Sequence, residues 1–500
     1  MTLTSEAIEE IAAKVRAGEW VSDAHASALR EHHAKAVKSG DAGLAVLIAE
    51  AWVQPRMRRV QAGYELAWKH EPIVLPQEEP IALEAIENAV AHERNAARRS
   101  ALWDLACAKA NDHFREAKRV VEALRERAEE LQCATPDGLI DALGLGAAGV
   151  RADALIERSD GLFDELDGWA LREVELGERV SDARRRVLPW QERLRSVAQP
   201  RASAQIAVGD RVASCGRWIE RVGLGDALRA VSDRVTASAL VSEGVSVKVE
   251  REGERVIVRG SEPPSVRGTA RIAGALSEAL GAALAKIGRA SERAGRDRVH
   301  RAALWQLGEM LLWEPSFVTK ELAVDGAHAS LVNRAALHGS LMALRQRAAE
   351  AGFVRDALAA KSELVLRLRD RMVRAMGSAV SPSWTVHIAS SAIERRAEAE
   401  CAGALCAAVL GTRMRERWDE DWFRNPRAGE GLASELMEMR ARGTMAWLIE
   451  RAGAGEAGAS EAGAGEAGAG EAGERERAAI ERAERVWSAR VREAFERATR

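Results

Sequence analysis

The sequence predicts a mainly α-helical protein, and its composition and patterning both support that class. The 500 residues are 47% hydrophobic and 30% charged, and the abundant Ala, Arg, Glu and Leu favour helices. Apolar residues recur at helical spacing along most of the chain, beginning with Ile8, Ile11 and Val15. Strict alternation of apolar and polar residues, which marks a half-buried strand, is confined to one segment.

That segment spans residues 245–258. Alternate valines stand on both sides of a polar, glycine-containing turn at residues 251–254. Two alternating runs joined by such a turn are typical of a β-hairpin. We therefore expect one small hairpin or sheet in an otherwise helical chain.

Turns and repeats divide the chain into four parts. We expect a helical region over residues 1–135 and a second, larger one over residues 136–450, which contains the hairpin. Residues 451–476 carry an Ala-Gly-Ala-Gly-Glu repeat, and so much glycine costs too much backbone entropy for a packed element. We therefore interpret them as a flexible linker.

Residues 477–500 are expected to form an amphipathic helix. Its apolar residues lie on one helical face: Ile480, Trp487, Val491 and Phe495. A stripe of this kind must dock, either on this chain or on a partner.

The charge balance and the cysteines bear on partners and compartment. The formal net charge is −3 with acids and bases interspersed, so we expect no nucleic-acid partner. No apolar run reaches the length of a membrane span and no signal-peptide pattern occurs, so we expect no membrane association and a cytoplasmic location. The five cysteines are scattered, without a Cys-x-x-Cys pair, and are interpreted as buried thiols in a reducing compartment.

Five short segments carry recognisable motifs in a fixed order along the chain, at residues 158–169, 188–190, 307–315, 344–350 and 416–430. The last contains Trp418 and Trp422, which we expect to pack on one helix face, and an Arg-Asn-Pro triplet at residues 424–426. In their common order, these segments resemble the thimet oligopeptidase and oligoendopeptidase F family of zinc metallopeptidases. The resemblance covers about residues 152–443 and implies a two-lobed, zincin-like helical scaffold with a short sheet beside its metal helix.

The resemblance also implies where a catalytic zinc would lie. It places the His-Glu-x-x-His helix on residues 277–281, where two imidazoles hold the metal and the Glu activates its water. Ser277 and Gly281 occupy the two histidine positions, and Ala302 occupies the position of the third ligand. None of these supplies a nitrogen or carboxylate donor. Glu278 keeps the position of the general base.

A second difference concerns the oxyanion. The resemblance implies a tyrosine in the C-terminal third that donates a hydrogen bond to it. Tyr64 is the only tyrosine and lies far upstream, while the matching stretch, residues 384–391, offers His387. We therefore expect a pseudopeptidase without a bound metal, and we keep Glu278 and His387 as candidate site residues.

Three functions stay open on the sequence alone. The leading one is a non-catalytic role for a groove that once held extended peptides and can still bind them. The second is an active metallopeptidase that holds zinc through substitute ligands such as His300 or Glu309. The third is a helical scaffold that presents its last helix to a partner, and the oligomeric state is open in all three.

Overall fold

A computed structural model describes most of the second half of the chain and parts of the first. It covers residues 23–39, 151–173, 200–206, 211–229, 231–237, 248–252, 255–262, 265–284, 296–359, 363–377, 396–453 and 469–499, with scattered positions before residue 132. The described part is mainly helical, as the sequence predicts. No helix in these ranges combines the length and the apolar character that crossing a membrane requires.

Fourteen helices are described, and two single 3-10 turns follow α7 and α11. They are α1 (Asp23–Ser39), α2 (Ala152–Glu173), α3 (Pro200–Ser203), α4 (Arg211–Arg221), α5 (Gly225–Arg229), α6 (Val266–Leu284), α7 (Arg296–Met310), α8 (Pro315–Lys320), α9 (Gly326–Leu358), α10 (Leu364–Met376), α11 (Arg396–Trp418), α12 (Ala428–Arg442), α13 (Thr444–Gly453) and α14 (Ala469–Thr499), with 3-10 turns at Leu311–Trp313 and Trp422–Arg424.

Two small sheets accompany the helices in the described part. The first pairs β1 (Pro72–Ile73) with β2 (Ile81–Ala82), and the second consists of β3 (Val231–Ala237), β4 (Lys248–Glu252) and β5 (Arg255–Glu262). In the order β3-β5-β4, β5 pairs parallel with β3 and antiparallel with β4. The sequence did not indicate β3, because a strand with a parallel partner gives no local turn signal.

Helix α6 begins directly after this sheet and lies at the centre of the fold. The hydroxyl of Ser265 accepts a hydrogen bond from the backbone N–H of Gly268 (2.9 Å), which caps the first turn. Every residue from Ile272 to Gly281 is buried. A helix buried on all sides must be covered by neighbours, and here α4, α7, α9 and the three-stranded sheet surround it.

The long helix α9 is tied to α2 and α10 by one buried arginine. The guanidinium of Arg345, 2% exposed, donates to the carbonyl oxygens of Ala375 (2.6 Å) and Ile156 (2.7 Å) and to the carboxylate of Asp160 (2.7 Å). Hydrogen bonds from a buried charge to several elements fix their relative positions, because a buried polar group without partners is costly.

The C-terminal helix differs from its predicted bounds. Helix α14 begins at Ala469, inside the predicted linker 451–476, rather than at residue 477, and α13 continues to Gly453 at the other end of that span. Alanine and glutamate in the repeat favour helix, and a docked helix propagates into them more easily than an isolated one.

The apolar stripe of α14 docks on this chain. Ile480, Trp487 and Val491 are buried where α14 packs against α2, α9, α11 and α13. At the end of the interface, Arg490 and Arg497 donate to the buried carboxylate of Glu314 at 2.6 Å and 2.7 Å. The chain itself therefore covers these three residues of the stripe.

Replacing Trp487 with alanine tests this docking. We expect the W487A variant to lose about 3–5 kcal/mol of unfolding free energy, because a fully buried indole leaves a large cavity. The measurement is urea unfolding followed by circular dichroism. The matched control, M437A, removes a side chain that is 58% exposed and should change the free energy by less than about 0.5 kcal/mol. Equal midpoints for W487A and the unmodified chain would contradict the docked position.

Candidate functional site

Helices α6 and α7 approach each other closely through small residues. A Cβ atom added to Gly274 would lie 2.9 Å from the carbonyl oxygen of Trp305, and one added to Gly308 would overlap the carbonyl oxygen of Ala273. The backbones of α6 and α7 are thus in direct contact at Gly274 and Gly308. Neither glycine can be replaced without moving one helix away from the other.

The two implied histidine positions lie on the buried part of α6. Ser277 is fully buried, and its hydroxyl oxygen has no hydrogen-bond partner among the described residues. At Gly281, an added Cβ would overlap the Cδ1 methyl of Leu304, which comes from α7. Leu304 therefore fills the space in which a side chain at position 281 would begin.

Glu278, the implied general base, forms an ion pair with a residue of α7. Its carboxylate is only 7% exposed and accepts a hydrogen bond from the Nε atom of Arg301 on α7 (2.5 Å). A base that activates metal-bound water must face that water, and here the carboxylate forms an ion pair with a cation of its own chain. The ion pair joins α6 to α7 at the point where the family resemblance implies a zinc site.

Ala302, the implied third-ligand position, lies where α7 packs against α11. A Cβ added to Gly403 would lie 2.6 Å from the Cβ of Ala302, so the backbone of α11 covers this methyl group closely. The position therefore offers a methyl group and no donor atom.

The imidazole of His300 lies beside the implied site. Its Nε2 atom lies 3.6 Å from the place where a Cβ of residue 281 would stand. Burial, and secondarily the charge of Arg440, lowers the pKa of His300 to about 4, so the ring is neutral near pH 7. Its Nδ1 atom is buried without a hydrogen-bond partner among the described residues.

Glu309 does not join His300. Its carboxylate accepts a hydrogen bond from the Nε1 atom of Trp305 (2.7 Å), and burial raises its pKa. His300 and Glu309 stand nine positions apart on α7, which on a regular helix means opposite faces and about 13 Å along the axis. One ion cannot contact both side chains.

The donors in the described part of the chain are not arranged as a catalytic zinc site. Such a site needs about three protein ligands of the His, Cys, Asp or Glu type around one point. Within the described ranges no group of three or more such side chains is arranged to hold a metal. His387 and Tyr64 lie outside the described residues, so the predicted role of His387 stays a prediction.

The sequence did not indicate Arg301 and Leu304, which contact two of the implied site positions. Their contacts with Glu278 and Gly281 join residues 23 positions apart on different helices. No periodicity or spacing rule predicts such a pair. The signal that was available is the glycine at position 281, since a glycine inside a helix often allows a close approach.

Comparison with known proteins adds loose structural similarities. No family model matches the sequence, and no curated protein matches it. Among solved structures, PZ peptidase A with inhibitor 2 has 12% identity, covers 87% of this chain and 80% of its own, and has a TM-score of 0.47. Trypanosoma cruzi metallocarboxypeptidase 1 has 14% identity, coverages of 89% and 94%, and a TM-score of 0.43.

A third structure is a protein described as an oligoendopeptidase F from Bacillus anthracis str. Ames. It has 10% identity, covers 87% of this chain and 79% of its own, and has a TM-score of 0.42. Scores below 0.5 describe a loose similarity of chain path. The interpretation of the site therefore depends on the contacts within this chain.

Glycine-to-alanine substitutions test the close packing of α6 and α7. G308A should lose about 3 kcal/mol of unfolding free energy, because the added methyl overlaps backbone atoms of α6. G281A should lose only about 1 kcal/mol, because the methyl of Leu304 can rotate away. The measurement is the unfolding free energy in urea.

Gly339 provides the matched control, since it lies within α9 and a Cβ there meets nothing within 4 Å. G339A should therefore gain about 0.5–1 kcal/mol. If G308A and G339A shift the midpoint in the same direction, the helices do not meet as described.

Proposed function

We propose that this chain is a pseudopeptidase, a non-catalytic relative of the zinc oligopeptidases that binds peptides without cutting them. The observation that carries the proposal is the closure of the implied zinc position: Leu304 fills the space at Gly281, and Arg301 engages Glu278. Both contacts come from α7.

The loss of catalysis follows from the number of donors. Zinc affinity depends on ligand number and geometry, and three of the implied ligand positions hold a serine, a glycine and an alanine. In the described part of the chain, the imidazole of His300 lies beside these positions. Without a metal to lower the pKa of a bound water, no nucleophile is generated at neutral pH.

Peptide binding is supported by the sheet that precedes α6. In the described order β3-β5-β4, the outer strands β3 and β4 each have one neighbour. An outer strand offers backbone N–H and C=O groups to which an extended peptide can add as a further strand. Because this sheet packs against α6, a peptide bound there would lie beside the degenerate site, as the family resemblance implies.

One observation favours the rival function, an active metallopeptidase. The neutral ring of His300 is in the protonation state that binds metals. Its Nδ1 atom has no hydrogen-bond partner in the described part of the chain. Two further ligands would have to come from elsewhere, and Glu309 lies on the opposite face of α7.

Metal content and peptide hydrolysis distinguish the two functions. We expect the full chain, incubated with equimolar zinc and then desalted, to retain less than about 0.1 zinc per chain, since fewer than three ligands hold the ion only weakly. The same preparation should not cleave a quenched fluorescent oligopeptide, with or without a chelator. It should bind that peptide in fluorescence anisotropy, and the chelator should not change the affinity.

The H300A variant is the control for the rival. About one zinc per chain, lost in H300A, together with cleavage that a chelator abolishes, would overturn the proposal. Absence of both cleavage and peptide binding would leave the loss of catalysis standing and remove the peptide-binding part.

A further inference from the structure

Helix α10 packs on α9 with one face and leaves the opposite face exposed. On the inner face, Leu368, Met372 and Ala375 are fully buried, and α10 contacts α9 there. On the outer face, Leu366 is 50% exposed and Val373 is 38% exposed. These two side chains stand seven positions apart, which is two helical turns, so they lie on one line along the helix.

An aligned pair of this kind sets α10 apart from the other described elements. Five large apolar side chains are exposed in the described part of the chain, and the three outside α10 lie far apart in the sequence: Val37, Val74 and Met437. Single exposed apolar residues are normal on a protein surface. Two on one line of a helix are typical of a face that packs against another helix.

Charged residues of both signs share this outer face. Arg367 and Asp370 are both exposed. Arg371 and Arg374, which follow Asp370 on the helix, bind carboxylates of α2 and α9 at 2.8–2.9 Å instead. Within the described part of the chain, the carboxylate of Asp370 therefore stays without an ion-pair partner, although arginines stand on both sides of it in the sequence.

The positions around the helix axis fit an antiparallel pair of helices. At 3.6 residues per turn, Leu366 and Val373 lie within about 20° of each other around the axis of α10. Arg367 and Asp370 lie within about 60° of each other, both on one side of that apolar line. A twofold axis across the helix turns this side of one copy toward the same side of a second copy.

We propose that the outer face of α10 is a dimerisation surface, on which a second copy of this chain packs its own α10 in the antiparallel direction. A twofold axis near position 369 sets Leu366 of one copy against Val373 of the other. The same axis sets Arg367 of one copy against Asp370 of the other. Because the interface is isologous, each of these contacts forms twice.

Charge selects this occupant and this direction. In a parallel pair, Arg367 would face Arg367 and Asp370 would face Asp370, and both contacts are repulsive. An anionic lipid surface attracts a cluster of basic residues, whereas this face carries an acid beside its arginine. The antiparallel second copy joins every acid of the face to a base and every apolar residue to an apolar one.

The interface is small, so the dimer is weak. Helix α10 has 13 residues, which gives a length of about 20 Å. One pair of such helices buries less than the roughly 800 Å² per partner of a standard interface. We expect a Kd of about 10–100 μM, so that the chain is mostly monomeric when dilute.

Sedimentation equilibrium of the full chain over about 1–500 μM, at low ionic strength, tests the proposal. The unmodified chain should show a reversible monomer–dimer equilibrium. R367E sets two acids against each other and D370R sets two arginines against each other, so each variant alone should dimerise at least about tenfold more weakly. An equimolar mixture of R367E and D370R should restore the dimer, because each contact then joins an acid to an arginine.

Two further variants complete the test. L366A removes an apolar contact twice and should weaken the dimer at least about tenfold. R427E reverses an exposed arginine at the beginning of α12 and should leave the Kd unchanged. Circular dichroism should show the same helix content in all variants, since each change lies on the surface.

Three results would each overturn the proposal: a chain that stays monomeric up to about 500 μM, dimerisation that R367E and D370R leave unchanged, or a mixture of these two variants that stays monomeric. None of them bears on peptide binding, because the dimerisation surface lies on α10 and the proposed peptide-binding strands lie beside α6.

Discussion

The direct contact between α6 and α7 is the constraint on which the central region depends. Gly274 and Gly308 allow the two backbones to touch, and Gly281 lets Leu304 enter the remaining space. Protein interiors are packed to the density of crystals, so Leu304 would have to move before a side chain could stand at position 281. The same small residues that bring the helices together therefore also bring Leu304 beside position 281, the contact on which the proposed loss of catalysis depends.

The polar groups near this contact support the same interpretation. The carboxylate of Glu278 is paired with the guanidinium of Arg301. Burial lowers the pKa of His300, so its ring is uncharged near pH 7. The hydroxyl of Ser277 is buried without a hydrogen-bond partner among the described residues, which costs about 1–3 kcal/mol.

Local patterns predicted the parts of the fold that depend on local forces. Helical spacing predicted the mainly α class, and the stripe that includes Trp487 indicated a docking helix.

The features that the sequence did not predict depend on tertiary contacts. Trp418 and Trp422 do not share a helix face as expected, because α11 ends at Trp418 and Asp419 adopts a left-handed conformation (φ 70°). The parallel strand β3 and the ion pair from Arg301 to Glu278 each join distant residues, and spacing rules carry no information about them.

The most direct test of the closed site is a crystal of the full chain grown with equimolar zinc and measured at the zinc absorption edge. Closed packing predicts no anomalous peak within coordination distance of Ser277, Glu278, His300 or Ala302, and Leu304 in contact with Gly281. A peak in this region with three nitrogen or oxygen donors at about 2.0–2.2 Å would contradict the account.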